Sequence, residues 1–203
     1  EERATEAVKI GADIDAVRLQ QSVDRLRAKH GPDRVLAVEM DVTDERSASE
    51  GFHRIVRTFG GVDVIVPNAG IAHVRPIAEL APDDFRRVYE VNALGCLLFM
   101  REGARILKTQ GVGGSVVISA SKNVFGPGKD FGAYSASKAA AHQLGKVGAI
   151  ELAEFGIRVN MINADAIFGD DENPSGLWAT VGPERAKSRN LSEADLAEYY
   201  RSR

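Results

Sequence analysis

A single cysteine in 203 residues leaves no partner for an intrachain disulfide, and the setting this implies is a reducing, cytoplasmic one. That cysteine, Cys96, lies in the apolar run ALGCLLFM, where a buried thiol resists ionisation and makes a poor nucleophile. Positive charge is also scarce. With 26 Lys and Arg against 29 Asp and Glu, the net charge of −3 speaks against a nucleic-acid or anionic-membrane partner. No apolar run approaches the roughly 18 residues of a membrane span, and the acidic opening EERATEA does not read as a signal peptide. His30, His53, His73 and His142 form no pair at metal-ligand spacing, so no metal site is expected. The first glycines, Gly11, Gly31 and Gly51, are too dispersed for a tight phosphate-binding turn.

What the chain does have is alternation. VLAVEMDV (35–42), VDVIVPN (62–68), GSVVISAS (114–121) and IRVNMINA (157–164) read as strands, nearly continuous in apolar residues as strands covered on both faces are. Helical stretches fall between them at about 16–29, 44–59, 83–108 and 132–155. Thr43 is expected to cap the second of these, with Asp44 and Glu45 at its positive end. Pro82 suits a first turn, and Gly60 and Gly156 suit helix ends. Ser192 and Asp195 stand at capping-box spacing before a last short helix. The segment 169–190 shows no strong periodicity and is expected to be a long loop, functional or mobile. Strand–helix alternation predicts a parallel sheet with crossover helices, a doubly wound α/β domain occupying residues 1–203.

In such a fold ligands sit beyond the carboxyl ends of the strands. Those ends carry Asp41-Val42, Asn68-Ala69-Gly70, Ser119 to Asn123, and NADAIFG. Tyr134 follows Ser121 by thirteen residues and precedes Lys138 by four. On a helix, positions four apart share a face and rise roughly 6 Å. An ammonium so placed would stabilise a phenolate and draw the phenol down from about 10 toward working pH, as a general acid/base requires. Taken alone, Tyr134 and Lys138 could equally be an exposed pair on a solvated helix face, and Asn68-Ala69-Gly70 a plain turn.

The constellation NAG, VNALG with Asn92, Ser121 and YSASK, in this order and spacing over residues 35 to 168, resembles the short-chain dehydrogenase/reductase family, with its Rossmann-like sheet. The resemblance implies that Tyr134 transfers the proton. It implies that Lys138 tunes the phenol and bonds the nicotinamide ribose, Ser121 orients the substrate oxygen, and Asn92 holds a relaying water. It further implies that Asp41 and Val42 flank the adenine, that Asn68, Ala69 and Gly70 pack by the adenosine ribose, and that Ile167 touches the nicotinamide amide. SASKNVFGPGKDFGAYSASKAA and GIRVNMINADAIF…SGLW look like the dehydrogenase part of bifunctional aldolase/short-chain dehydrogenases, Lys122-Asn123 being the main reason. Lys122 could also be a simple loop charge.

The pattern also breaks. The family's opening strand with its glycine-rich turn has no counterpart, nor has its last helix and strand. Ala164 replaces a usual proline, and Gly169 a common threonine. A parallel sheet without a central strand leaves its neighbours' backbone groups unpaired, each at about 1–3 kcal/mol, so an isolated chain of this sequence is expected to fold poorly. In GADIDA, Asp13 rather than Asp15 is expected to meet the adenosine ribose hydroxyls, which favours NAD over NADP; Arg18 could in principle serve a 2′-phosphate. His73 and Trp178 are candidates for lining or covering the pocket. The charges ERAKSR and Asp170 to Glu172 read as solvated. The expected activity is hydride transfer between NAD and a small alcohol, sugar or hydroxy-aldehyde, by a homodimer or homotetramer formed through 83–108 and 132–155. The alternatives are a non-catalytic assembly module and a nicotinamide-dependent epimerase or dehydratase.

Overall fold

The structure, a computed structural model, describes residues 7–167 and 175–202. The Gly169 substitution, the acidic run 170–172 and most of the opening EERATEA lie outside the described residues. Five strands, β1 (Lys9–Asp13), β2 (Val35–Glu39), β3 (Val64–Ile65), β4 (Gly114–Ser119) and β5 (Ile157–Ile162), alternate with helices. The helices are α1 (Ala16–His30), α2 (Glu45–Phe59), α3 (Pro82–Tyr89), α4 (Gly95–Gln110), α5 (Gly132–Glu151), α6 (Gly176–Arg189) and α7 (Glu193–Arg201). Every strand pairing is parallel. The pairings fall into two groups, β1-β2 and β3-β4-β5, so β1 and β3 each have one bonded neighbour.

Period-two alternation on β2 explains how helices cover both faces. Leu36, Val38 and the following Met40 point into the main core, with Phe52 and Ile55 of α2 and Cys96, Met100 and Leu107 of α4. Val35 and Ala37 point the other way, against Leu19 and Val23 of α1. The strands beside the site pack through β4, whose Val116 and Ile118 share the main core with Ala141 of α5 and with Ile157 and Val159 of β5. Close approach there depends on Gly145, where a Cβ would stand 2.8 Å from Ile118 Cδ1 and 2.7 Å from Met161 Sδ.

Four local expectations need correction. The cap of α2 is Asp44, not Thr43: the Asp44 carboxylate accepts from Arg46 N and Ser47 N. Thr43 instead gives its amide and hydroxyl to Asp41 Oδ1, at 2.8 and 2.7 Å. The stretch 83–108 is not one α-helix, because a π-helical turn, Glu90–Leu94, separates α3 from α4. The segment 169–190 is not all loop: Ser175 caps α6 through Trp178 N, and the helix continues through Pro183. Its two glycines and one proline erase the periodicity that announces a helix. β3 shrinks to two residues, and Val64 on it is 61 % exposed.

Candidate active site

Parallel pairing brings the carboxyl ends of β3, β4 and β5 to one edge, and backbone bonds tie their loops together. Ser119 N donates to Pro67 O at 3.1 Å, and Lys122 N to Ala164 O at 3.0 Å. β4 thus delivers Ser121, buried at the start of a short 3₁₀ turn. α5 delivers Tyr134 and Lys138, both buried.

The Lys138 ammonium donates to the Ser119 carbonyl at 2.7 Å and stands 5.8 Å from the centre of the Tyr134 ring. Burial pushes this lysine below the ordinary range, with the Cys96 thiol opposing. Burial likewise pushes the Tyr134 phenol upward; the Ser121 hydroxyl and the charge of Arg185 oppose that rise. The expected downward pull of Lys138 on the phenol does not prevail, since desolvation of the phenolate outweighs the nearby cations and the ammonium is aimed at the Ser119 carbonyl. Cys96, raised to about 11 by burial, is inert as a nucleophile at neutral pH.

Asn92 occupies the π-helical turn, a feature frequent at functional positions. Its amide clamps the loop after β3, accepting from Ile71 N at 2.8 Å and donating to Ile71 O at 2.9 Å. The same Nδ2 donates to Ser137 Oγ at 2.9 Å, and Ser137 in turn donates to the Tyr134 carbonyl at 2.8 Å. One continuous chain of bonds therefore links the Asn68–Gly70 loop to the helix carrying Tyr134. Gly70 completes the approach: a Cβ there would meet Lys138 Nζ at 3.2 Å and Asn92 Oδ1 at 3.4 Å.

Asn92, Ser121, Tyr134, Lys138 and Gly70 are thus brought together, with Asn68 and Ala69 in the same loop. Asp13 and Asp41 lie at the ends of neighbouring strands: Asp13 O accepts from Met40 N at 3.0 Å, and its exposed carboxylate accepts from Asp15 N at 2.9 Å. Asp15 is committed to capping α1. Val42 packs on α4, where a Cβ on Gly95 would meet its Cγ2 at 2.8 Å. Ile167 is 64 % exposed, and no hydrogen bond among the described residues joins it to the others.

A cavity of about 450 Å³ opens beside Gly70, between that loop, α3 and the first turns of α6, with Arg18, His73, Arg87 and Thr180 among its walls. His73 stands 3.4 Å from Asp84 there. Trp178 packs with Val181 against Phe131 and Tyr134. Lys122 pairs with Asp165 at 3.3 Å. Reading the sequence missed Ser137, although it sits inside YSASK, and the reading of ERAKSR as solvated needs correction at Arg185, which packs over Phe131 and bonds the Tyr200 hydroxyl.

The chain is similar to known proteins in sequence and in fold. The family model described as short chain dehydrogenase matches residues 2–170. The uncharacterized oxidoreductase YuxG of Bacillus subtilis (strain 168) is 35 % identical over 195 residues, covering 96 % of this chain and 28 % of that protein. The L-rhamnose 1-dehydrogenase (NAD(P)(+)) of Sphingomonas sp. (strain SKA58) is 35 % identical over 129 residues, covering 64 % of this chain and 51 % of that one. The chain therefore spans less than two thirds of these relatives' own length. The crystal structure of sorbitol-6-phosphate 2-dehydrogenase SrlD from Erwinia amylovora superposes with a TM-score of 0.84 at 26 % identity, covering 96 % of this chain and 74 % of that one.

Proposed function

This chain belongs to the short-chain dehydrogenase family, and on that premise we propose that it is one dinucleotide-binding domain of an NAD-dependent oxidoreductase acting on a small sugar or polyol. The observation that carries the reading is the meeting of buried Ser121, after β4, with buried Tyr134 and Lys138 of α5, the Lys138 ammonium 5.8 Å from the Tyr134 ring centre and 2.7 Å from the Ser119 carbonyl. The names of the relatives, a rhamnose and a sorbitol-phosphate dehydrogenase, point to a sugar-like substrate.

The described residues fit a nicotinamide nucleotide at the ribose end. Gly70 brings the loop backbone close to the buried Lys138 ammonium, where a Cβ would stand 3.2 Å away, and the cavity of about 450 Å³ that adjoins Gly70 is of small-ligand size. Lys138 and Asn68 to Gly70 would hold that end, and the family resemblance adds the exposed Ile167 for the nicotinamide amide. Asp13, Asp41 and Val42 would meet the adenosine, the exposed Asp13 carboxylate favouring NAD over NADP. The chemistry a bound nicotinamide supplies is acceptance of a hydride.

The chain's own part is to place and deprotonate. Ser121 holds the substrate hydroxyl beside Tyr134, and the Tyr134 phenolate accepts the hydroxyl proton as the carbon becomes a carbonyl. Lys138 steadies that charge. Asn92 and Ser137 hold the loop and helix in register, which fixes the distance between the reacting groups. Leu97, Val147 and Ile150 on α4 and α5 are exposed, which supports association as a homodimer or homotetramer through those helices.

The test is reduction of NAD and of NADP, followed by nicotinamide absorbance, over a panel of sugars and polyols. Activity should appear with NAD, and Tyr134→Phe should lower kcat by a factor on the order of 100 to 10,000. Neither cofactor binding nor turnover with any substrate would support the non-catalytic assembly reading instead.

A further inference from the structure

Helix α6 carries a cation into the neighbourhood of Tyr134. Val181 and Trp178 of α6 pack with Ala72 and Val74 against Phe131 and Tyr134. Arg185 follows Val181 by one turn, and its guanidinium carbon lies 4.8 Å from the centre of the Phe131 ring. The Phe131 and Tyr134 rings meet edge to face, 6.1 Å apart. On its other side the guanidinium donates to the Tyr200 hydroxyl at 2.9 Å, with its carbon 5.6 Å from that ring's centre. Two aromatic faces and a hydrogen bond hold a long side chain in one place.

We propose that Arg185 is a positioning residue for Tyr134, a second cation beside Lys138 that favours the anionic phenol from the α6 side of the site. The inference rests on the reading of Tyr134 as the proton-transferring group and adds the device that sets its readiness. A guanidinium keeps its charge at any working pH, and between partly buried groups that charge is weakly screened. Among the described residues the groups facing Tyr134 are these. Lys138 faces it from α5 itself, Ser121 from the turn after β4, and Arg185 from α6, while the loop after β3 contributes apolar Ala72 and Val74. Cys96 of α4 adjoins Lys138 and is neutral at working pH. Lys138 keeps its charge but aims its ammonium at the Ser119 carbonyl, and Arg185 adds a cation from the α6 side whose field opposes the effect of burial on the phenol.

The experiment titrates the Tyr134 phenol by near-ultraviolet difference absorbance, subtracting Tyr134→Phe to remove the other tyrosines. Far-ultraviolet circular dichroism monitors the fold in parallel. Arg185→Gln should raise the midpoint by about one pH unit, a roughly tenfold change in the ionisation constant, whereas Arg185→Lys, which keeps the charge, should recover most of it. In turnover, the acidic limb of the kcat profile for alcohol oxidation should move the same way. An unmoved midpoint in Arg185→Gln, or a shift as large in Arg185→Lys, overturns the proposal. Should Arg185→Gln not fold, Arg185→Met, which removes the charge but keeps an apolar chain over the Phe131 ring, takes its place, and an unmoved midpoint there overturns the proposal. Because the phenol is read directly, absence of hydride transfer in the wild type would defeat the proposed function and leave this result standing.

Discussion

A lysine held in the interior is a strain on the fold that an enzyme has reason to keep. Burial lowers Lys138 from its ordinary value, so the unfolded chain holds that proton to higher pH, up to about 10.4. Between the lowered value and that limit the unfolded state binds more protons, and stability rises with pH. Tyr134 has the opposite sign: its raised phenol stays protonated after unfolded tyrosine ionises at about 10, so stability falls above that point. Wild-type melting temperature should therefore climb on the alkaline side of neutrality and turn down beyond pH ~10. Lys138→Met should flatten the climb and melt no lower than wild type at neutral pH, because an apolar side chain of similar length suits the site better. Its turnover should be lost. A clear drop in melting temperature in this variant, read by calorimetry, would show that the ammonium stabilises the fold rather than serving chemistry.

At the scale of elements, the site depends on how closely α5 lies on β4 and β5. Gly145 permits that contact, with Ile118 Cδ1 and Met161 Sδ already where a Cβ would go. Gly145→Val should destabilise by about 1–3 kcal/mol through overpacking and should lower kcat as well, since it lifts the helix bearing Tyr134 and Lys138. Thermal melts with parallel rate measurements check both effects; a stable variant with reduced kcat would place the glycine's role in the site alone. The π-helical turn Glu90–Leu94 answers to tertiary demand in the same way. Asn92 can clamp both backbone groups of Ile71 while reaching Ser137, and the regular helix gives way to that network.

At the scale of the molecule, the strands form two sheets rather than one. Among the described residues β1 and β3 each show one edge without a bonded strand, and Ile14, Val64 and Val66 beside those edges are 64 %, 61 % and 51 % exposed. The packed cores continue past the division, for Ile10 and Leu36 of the first sheet join the cluster that holds Ile65 of the second. Cohesion there comes from side chains and not from a continuous ladder. A polypeptide of this sequence alone should therefore melt over a broad, weakly cooperative range, with amides of β3 exchanging before those of β4. A sharp two-state transition by calorimetry, with equal protection in both strands, would contradict this.

Most of the architecture was legible because alternation is a property of short windows. The apolar runs at 35–42, 114–121 and 157–164 could be little else than covered strands, and Pro82, Gly60 and Ser192 stand where the helices turn. Residues 92, 121, 134 and 138 were legible as a set only through the resemblance of NAG, VNALG, Ser121 and YSASK to the family's motifs; spacing alone tied Tyr134 to Lys138 and no more. What lay beyond the sequence was decided by contacts between distant segments. The cap at Asp44, the π-helical turn, the helix hidden by Gly176, Gly182 and Pro183, and the seat of Arg185 over Phe131 each depend on a neighbour far along the chain or on which of two adjacent polar residues finds a free amide. The direction of the Tyr134 phenol is of that kind too. Spacing placed a cation near it, but only packing determined how much water was removed from the phenol, and the loss of water outweighs the charge.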